Sequence, residues 1–374
     1  SGSVPVGSYT CAAAHYPFCA ATFDAVNKTF THTWGDAYCS TDLAAYDFMF
    51  STVYETPFVV DETTTVLPIA LTFRPLMARI GMKLALGANE TPKYVTFTTD
   101  DNVLPTAGTV NADGTFSASA LTNTLTVETD RKEFTVGLLP VGVASKMSVH
   151  VTTTDGMTYS DKSFQLAGLK RNTHYTMNVP CRTKRFMLTV PDGVNSKYGT
   201  GTYGDNGFFQ VEPQYDPESI FDGWHFLRSE IKSDKDAADG DVLKNRNRIQ
   251  LQAVSLGTNR AQNGAFVTPP IQCDGTKTVT VSFTAGTNKL TVGSVQYRIG
   301  VTNNGADISE DFLRSFDNIQ SSLEGECPWK HSGSVSRTHT FTVTNGQRIM
   351  MKVYSSGGGT PCHLELADFT YTVE

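Results

Sequence analysis

Over much of this chain every second residue is apolar. After a turn at Asp274-Gly275, Val279, Val281 and Phe283 alternate with Thr and Ser. Toward the end of the chain Phe341 and Val343 do the same, then Ile349, Met351 and Val353, then Leu364 and Leu366, with further turns at Asn345-Gly346 and Gly358-Gly359. A period of two predicts strands with one dry face. The phase slips by one residue at Ala367 and Asp368 before Phe369, Tyr371 and Val373 resume it, which predicts a β-bulge. Upstream, Ile69, Leu71 and Phe73 alternate up to Pro75, and Ile80, Met82, Leu84 and Leu86 follow. Val95 with Phe97, Leu125 with Val127, and Met147, Val149 and Val151 extend the series around turns at Asp113-Gly114 and Asp155-Gly156. One stretch has helical spacing: Ile308, Phe312, Phe316, Ile319 and Leu323 share a face, Asp307 offers a cap, Glu310 completes a capping box and Gly325 a stop.

The pattern predicts an all-β protein, and 374 residues exceed what one hydrophobic core usually serves, so two domains are expected. The composition changes between Thr173 and Pro191, which places the division at 1–184 and 185–374. Arg182, Lys184 and Arg185 there read as a solvated linker, with a proteolytic processing site as the sharper alternative. Lys plus Arg number 30 against 37 Asp plus Glu, a net charge of -7. Such a surface repels phosphate backbones and argues against a nucleic-acid partner. No apolar run approaches the roughly twenty residues that span a bilayer, and no basic, apolar signal segment opens the sequence. Seven cysteines form no CxxC pair. Cys11 with Cys19, or Cys327 with Cys362, could be bridged in an oxidising compartment; buried thiols are the alternative.

The sequence contains no HExxH, Gly-x-Ser-x-Gly, P-loop or strand-flanked GxGxxG. Neither an enzyme nor a cofactor is expected. His150 and His174 fall in strands and read as structural, while His331 and His339 flank a loop. Exposed loop aromatics are the better pointer, because sugars stack apolar C–H faces on aromatic rings. Trp329, in Glu326-Cys-Pro-Trp-Lys-His-Ser-Gly, either stacks on a ligand or packs under its own loop; His331 is its polar neighbour. Tyr198 and Tyr203 on a Gly-rich loop are further ligand candidates, and Trp224 in Phe221-Asp-Gly-Trp-His-Phe belongs to a core.

Trp34, Tyr46-Asp-Phe-Met-Phe, Pro68-Ile-Ala-Leu-Thr-Phe-Arg-Pro-Leu-Met-Ala-Arg-Ile-Gly-Met-Lys-Leu, Leu138-Leu-Pro and Leu166-Ala-Gly-Leu-Lys-Arg-Asn-Thr-His-Tyr-Thr-Met-Asn-Val occur in that order. Over about residues 30–180 the chain resembles the fimbrillin family of pilus subunits and cell-adhesion proteins of anaerobic Gram-negative bacteria. The resemblance implies a transthyretin-like β-sandwich, export to the cell surface as an outer-membrane lipoprotein held only by a lipid anchor, and assembly with other pilus subunits by strand exchange. In the family an arginine- or lysine-specific protease often frees the accepting groove. The first arginine here is Arg74, so Lys28 in Val26-Asn-Lys-Thr is the early processing candidate. The second half, through the Trp224 cluster, Arg248-Ile-Gln-Leu, Gly264 to Pro270 and Leu364-Glu-Leu-Ala-Asp-Phe-Thr-Tyr, is similar to galactose-binding-like jelly rolls. Such domains often bind glycans in loops at one end, sometimes beside a structural calcium. The expectation is a surface adhesin or fimbrial tip or accessory subunit that meets a glycan or host surface protein. The alternatives are a glycan-capturing lipoprotein of a polysaccharide uptake system and a purely structural pilus subunit.

Overall fold

A computed structural model describes residues 5–16, 21–36, 38–64, 68–111, 113–190, 195–198, 223–233, 243, 246–253, 263–288, 294–303, 305–328, 333–356 and 362–374. The fold is all-β with two short helices among these residues. The chain divides into two compact units: unit 1 is Ser1–Leu86, Thr91–Thr152 and Tyr159–Cys181, and unit 2 is Gly87–Glu90, Thr153–Thr158 and Arg182–Glu374.

The strands of the first part are β1 (Gly7–Tyr9), β2 (His15–Tyr16), β3 (Thr22–Asp24), β4 (Thr29–Thr33), β5 (Met49–Ser51), β6 (Phe58–Val60), β7 (Phe73–Pro75) and β8 (Ala78–Leu84). They continue with β9 (Pro92–Thr99), β10 (Leu104–Val110), β11 (Phe116–Thr122), β12 (Thr124–Glu128), β13 (Glu133–Leu138), β14 (Ser145–Thr153), β15 (Thr158–Leu166) and β16 (His174–Val179); helix α1 spans Leu43–Tyr46. The core of unit 1 is a sandwich. One layer is ordered β13-β8-β16, with β16 parallel to β8, and the other runs β12-β9-β14-β15. The alternating positions supply its interior: Ile80, Met82, Leu84, Val95, Phe97, Leu125, Val127, Met147, Val149 and Val151 are all buried. Ile69 and Leu71, expected in a strand, precede it: β7 begins at Phe73 and includes Pro75. Pro75 lacks an N–H, which an edge position tolerates, and β7 is the last strand of the order β2-β5-β7.

Unit 2 contains β17 (Lys184–Met187), β18 (Asn195–Tyr198), β19 (His225–Leu227), β20 (Ser229–Lys232), β21 (Arg248–Ala253), β22 (Ala265–Val267), β23 (Thr276–Asn288) and β24 (Ser294–Val301). Helix α2 (Glu310–Arg314) and strands β25 (Gln320–Pro328), β26 (Val335–Thr344), β27 (Ile349–Ser356) and β28 (Cys362–Val373) complete it. One sheet is ordered β19-β22-β27-β24-β25. In the other, β28 lies between β23 and, along successive stretches, β17 and β21, while β26 extends it beyond β23. Both sheets are antiparallel and enclose one core, the jelly-roll arrangement that the spacing predicts. Trp224 lies in that core against Phe186, Phe226, Phe266 and Phe369, with ring centroids 5.1–6.1 Å apart. The expected bulge is present. Ser282 faces Thr370 but Thr284 faces Ala367, and Asp368 takes a left-handed φ of 50°.

Two expectations are corrected. The helix near 308–323 is one turn long: Ser309, not Asp307, accepts from the Phe312 N–H, and the chain returns to a strand at Gln320. Gly325 therefore does not stop a helix. It faces the Tyr297 ring, which a Cβ would approach to 2.2 Å. The basic cluster is solvated only in part: Arg182 and Arg185 are exposed, but Lys184, in β17, is 1% exposed. Its ammonium lies 2.7 Å from Asp155 and 3.0 Å from Glu90 and donates to the Gln272 carbonyl. A buried charge persists only with such partners.

Candidate functional site

The segment ahead of Lys28 has a distinctive construction. β1 pairs with β6, β2 with β5 and β3 with β4, and each of the three ends its own sheet. The turn after β3 is set by Asp24, whose carboxylate accepts from the N–H groups of Asn27 and Val26 and from the Asn27 side chain. Those bonds, the Asn27 N–H first, hold its acid below the usual carboxylate range. The turn brings Lys28 into the left-handed region at φ 56°, half-exposed and paired with the exposed Glu55. Three short edge strands thus precede one accessible lysine, and a cut there would strip a neighbour from β4, β5 and β6 without breaking an interior strand.

Unit 1 also has an open cleft of about 530 Å³ between β15 and β16, floored by Ile80, Met147, Leu166 and Leu169 and walled by Phe164, Tyr175 and Met177. The connection between the two strands closes one end through Gly168, at φ 121°, where a Cβ would come within 2.9 Å of the Val141 carbonyl.

In unit 2, Tyr198 is the one ligand candidate among the described residues. Tyr198 closes β18, and its backbone is in register through Ser229 and Leu251 with Leu364, which faces Thr287 near the end of β23. β25 closes at Pro328, opposite Ser294 at the start of β24. The strands that carry Tyr198 and Pro328 therefore end on the same side of unit 2. Tyr203, Trp329 and His331 lie outside the described residues. Below Pro328, Arg337 donates to the Glu326 carbonyl at 2.6 and 3.2 Å, and the Tyr297 hydroxyl meets His339 Nε2 at 3.0 Å. Burial pushes the Tyr297 phenol up and the His339 imidazole down, which keeps both neutral near pH 7.

Cys11, Cys39 and Cys273 are thiols, and burial pushes those of Cys39 and Cys273 up, so they are poor nucleophiles. Among the described residues no group of three or more His, Cys, Asp or Glu side chains gathers as a metal site. The Asp274 carboxylate, for example, accepts from Ala88 and Asn89 N–H groups.

Comparison with known proteins finds likenesses to parts of the chain. A candidate cell adhesion protein of Bacteroides uniformis is 16% identical, covering 45% of this chain and 65% of that one at a TM-score of 0.32. One from Bacteroides ovatus is 22% identical, covering 47% and 64% at 0.31. The K1 cleaved adhesin domain of Lys-gingipain from Porphyromonas gingivalis is 12% identical, covering 48% and 96% at 0.27. The chain spans just under two thirds of the two Bacteroides proteins, and at these TM-scores the likenesses carry no functional inference. No curated protein matches. The fimbrillin-like family model, in contrast, matches residues 6–192, half of the sequence. The chain belongs to the fimbrillin-like family.

Proposed function

We propose that the chain is an exported surface adhesin or accessory fimbrial subunit without enzymatic activity, in which unit 1 serves assembly or anchoring and unit 2 meets a glycan or a host surface protein. Family membership supports the surface role. The observation that carries the assembly half is the segregation of β1, β2 and β3, all edge strands, ahead of the accessible Lys28. Trimming there leaves open backbone edges on β4, β5 and β6 that a donated strand from another subunit can fill. Attachment to the membrane is through a lipid anchor. The binding half rests on unit 2, with Tyr198, Tyr203, Trp329 and His331 as its candidate contacts.

A lysine-specific protease tests the assembly half. Limited digestion is expected to cut after Lys28 and yield oligomers by size-exclusion chromatography, whereas Lys28→Gln stays whole and monomeric. A trimmed protein that remains monomeric contradicts it. For the binding half, a glycan array is expected to give signals that Trp329→Ala removes; a silent array leaves unit 2 as a spacer.

A further inference from the structure

The outer face of the β19-β22-β27-β24-β25 sheet has two unlike halves. Over β19 and β22, Leu227, Ala265, Val267 and Met350 are covered by Ile308, Leu313 and Ile319 from the segment around α2. Toward β25 that cover stops, and a row of charges crosses three strands: Arg298 lies opposite Glu324 on one side and Lys352 on the other. The Arg298 guanidinium is 4.7 Å from the Tyr354 ring centroid and 5.7 Å from that of Phe316, and the two rings meet edge-on at 5.4 Å. Two of its nitrogens contact one Glu324 oxygen at 2.9 Å. The Arg298 side chain is 30% exposed and that of Glu324 66%. Lys352 is fully buried below, 5.2 Å from the Phe316 ring centroid and bonded to the Asn263 carbonyl at 2.9 Å. Arg228 and Arg314 are near enough to act on its charge. Burial first, and then Arg314 and Arg228, push the Lys352 ammonium down to about 7, so the charge around this face comes chiefly from Arg298, Arg228 and Arg314, in a chain whose net charge is -7.

We propose that Arg298, Tyr354 and Phe316 form a platform for an acidic saccharide, whose carboxylate or sulfate takes the place of Glu324 on Arg298 while its ring lies against the aromatic side chains. Stacking fixes the plane of the guanidinium, and a fixed fork suits an anion with two or three equivalent oxygens. Glu324 shows that a carboxylate fits there. As an exposed ion pair it is displaced at little cost. Arg228 and Arg314 do not touch the ligand but supply a positive potential that a neutral sugar would not need.

This rests on the reading that unit 2 meets glycans, and the test separates the two. Calorimetry on the full chain uses a chondroitin oligosaccharide, which carries carboxylates alone, its sulfated counterpart, and a neutral galactan oligosaccharide. Binding of either acidic probe at least tenfold tighter than the neutral one is expected, and comparison of the two acidic probes tells which anion is preferred. Arg298→Gln is expected to weaken acidic binding tenfold or more, and Glu324→Gln, which removes the internal competitor, to strengthen it severalfold. A purely structural ion pair would not produce that gain, so Glu324→Gln decides the question even if Arg298→Gln fails to fold. Glycan binding that neither substitution alters, or equal affinity for neutral and acidic probes, overturns the platform and leaves the glycan reading standing. No binding to any saccharide overturns both.

Discussion

The start of unit 1 and the middle of unit 2 use the same element in opposite ways. β1, β2 and β3 hold three, two and three residues and each pairs on one side. β28 holds twelve and is paired on both sides, to β23 along one edge and to β17 and β21 along the other. A strand with one short ladder and few buried side chains can leave at modest cost. One bonded on both edges and dry on its inner face cannot leave without unfolding its unit. The difference teaches that how readily a strand leaves is set by pairing and burial rather than by strand propensity, since strand-favouring Thr, Phe and Tyr occur in both places.

The largest expected effects lie on the retained side. Lys184→Ala removes the ammonium that lies between the buried carboxylates of Glu90 and Asp155, and should cost about 3–5 kcal/mol in denaturant unfolding; a change below about 1 kcal/mol would remove the cluster from the account. Trp224→Ala should cost a similar amount, about 3–5 kcal/mol, through the cavity left among Phe186, Phe226 and Phe266. Gly325→Ala should be milder, about 1–3 kcal/mol by overpacking against Tyr297, and thermal melts will check it.

A pH dependence sharpens the same side. Burial, aided by Arg348 and opposed by Asp307, pushes the His225 imidazole down to about 4. The folded state therefore binds fewer protons than the unfolded state between about pH 6.5 and 4. The contribution of His225 is present above pH 6.5 and lost as the pH falls through 4. His225→Gln should flatten the stability profile in that window, and an unchanged slope would assign it to other groups. The smallest effect belongs to the exchangeable side: Lys28→Gln should alter stability by no more than about 0.5 kcal/mol while abolishing the lysine-specific cut.

The strands were legible because alternation is a local signal. Val95, Phe97, Val149, Val151, Val281 and Tyr371 all fall on the dry faces that their spacing predicts, and even the Asp368 bulge registered as a phase slip. The 308–323 helix misled because its apolar positions serve two elements, Ile308 and Leu313 around α2 and Ile319 before β25, and short apolar spacings do not distinguish these cases. Lys184 was illegible for another reason. Its counter-charges, Glu90 and Asp155, lie 94 and 29 residues away in sequence, and only tertiary structure makes a basic cluster into a buried ion site. The Arg298 platform was missed because its members come from β24, β27 and the segment after α2, and the only nearby trace is polar Gln296 and Arg298 alternating with Tyr297 and Ile299. Family motifs pointed to Lys28, but they did not reveal that three separate edge strands precede it.

The most direct test is native-state hydrogen exchange on the intact chain. The amides of β1, β2 and β3 should exchange at least about a hundredfold faster than those of β23 and β28, with the rates of β4, β5 and β6 rising toward theirs once the protein is cut after Lys28. Equal protection of the first three strands and the β23–β28 ladder would contradict the claim that the chain opens at one place and is fixed at the other.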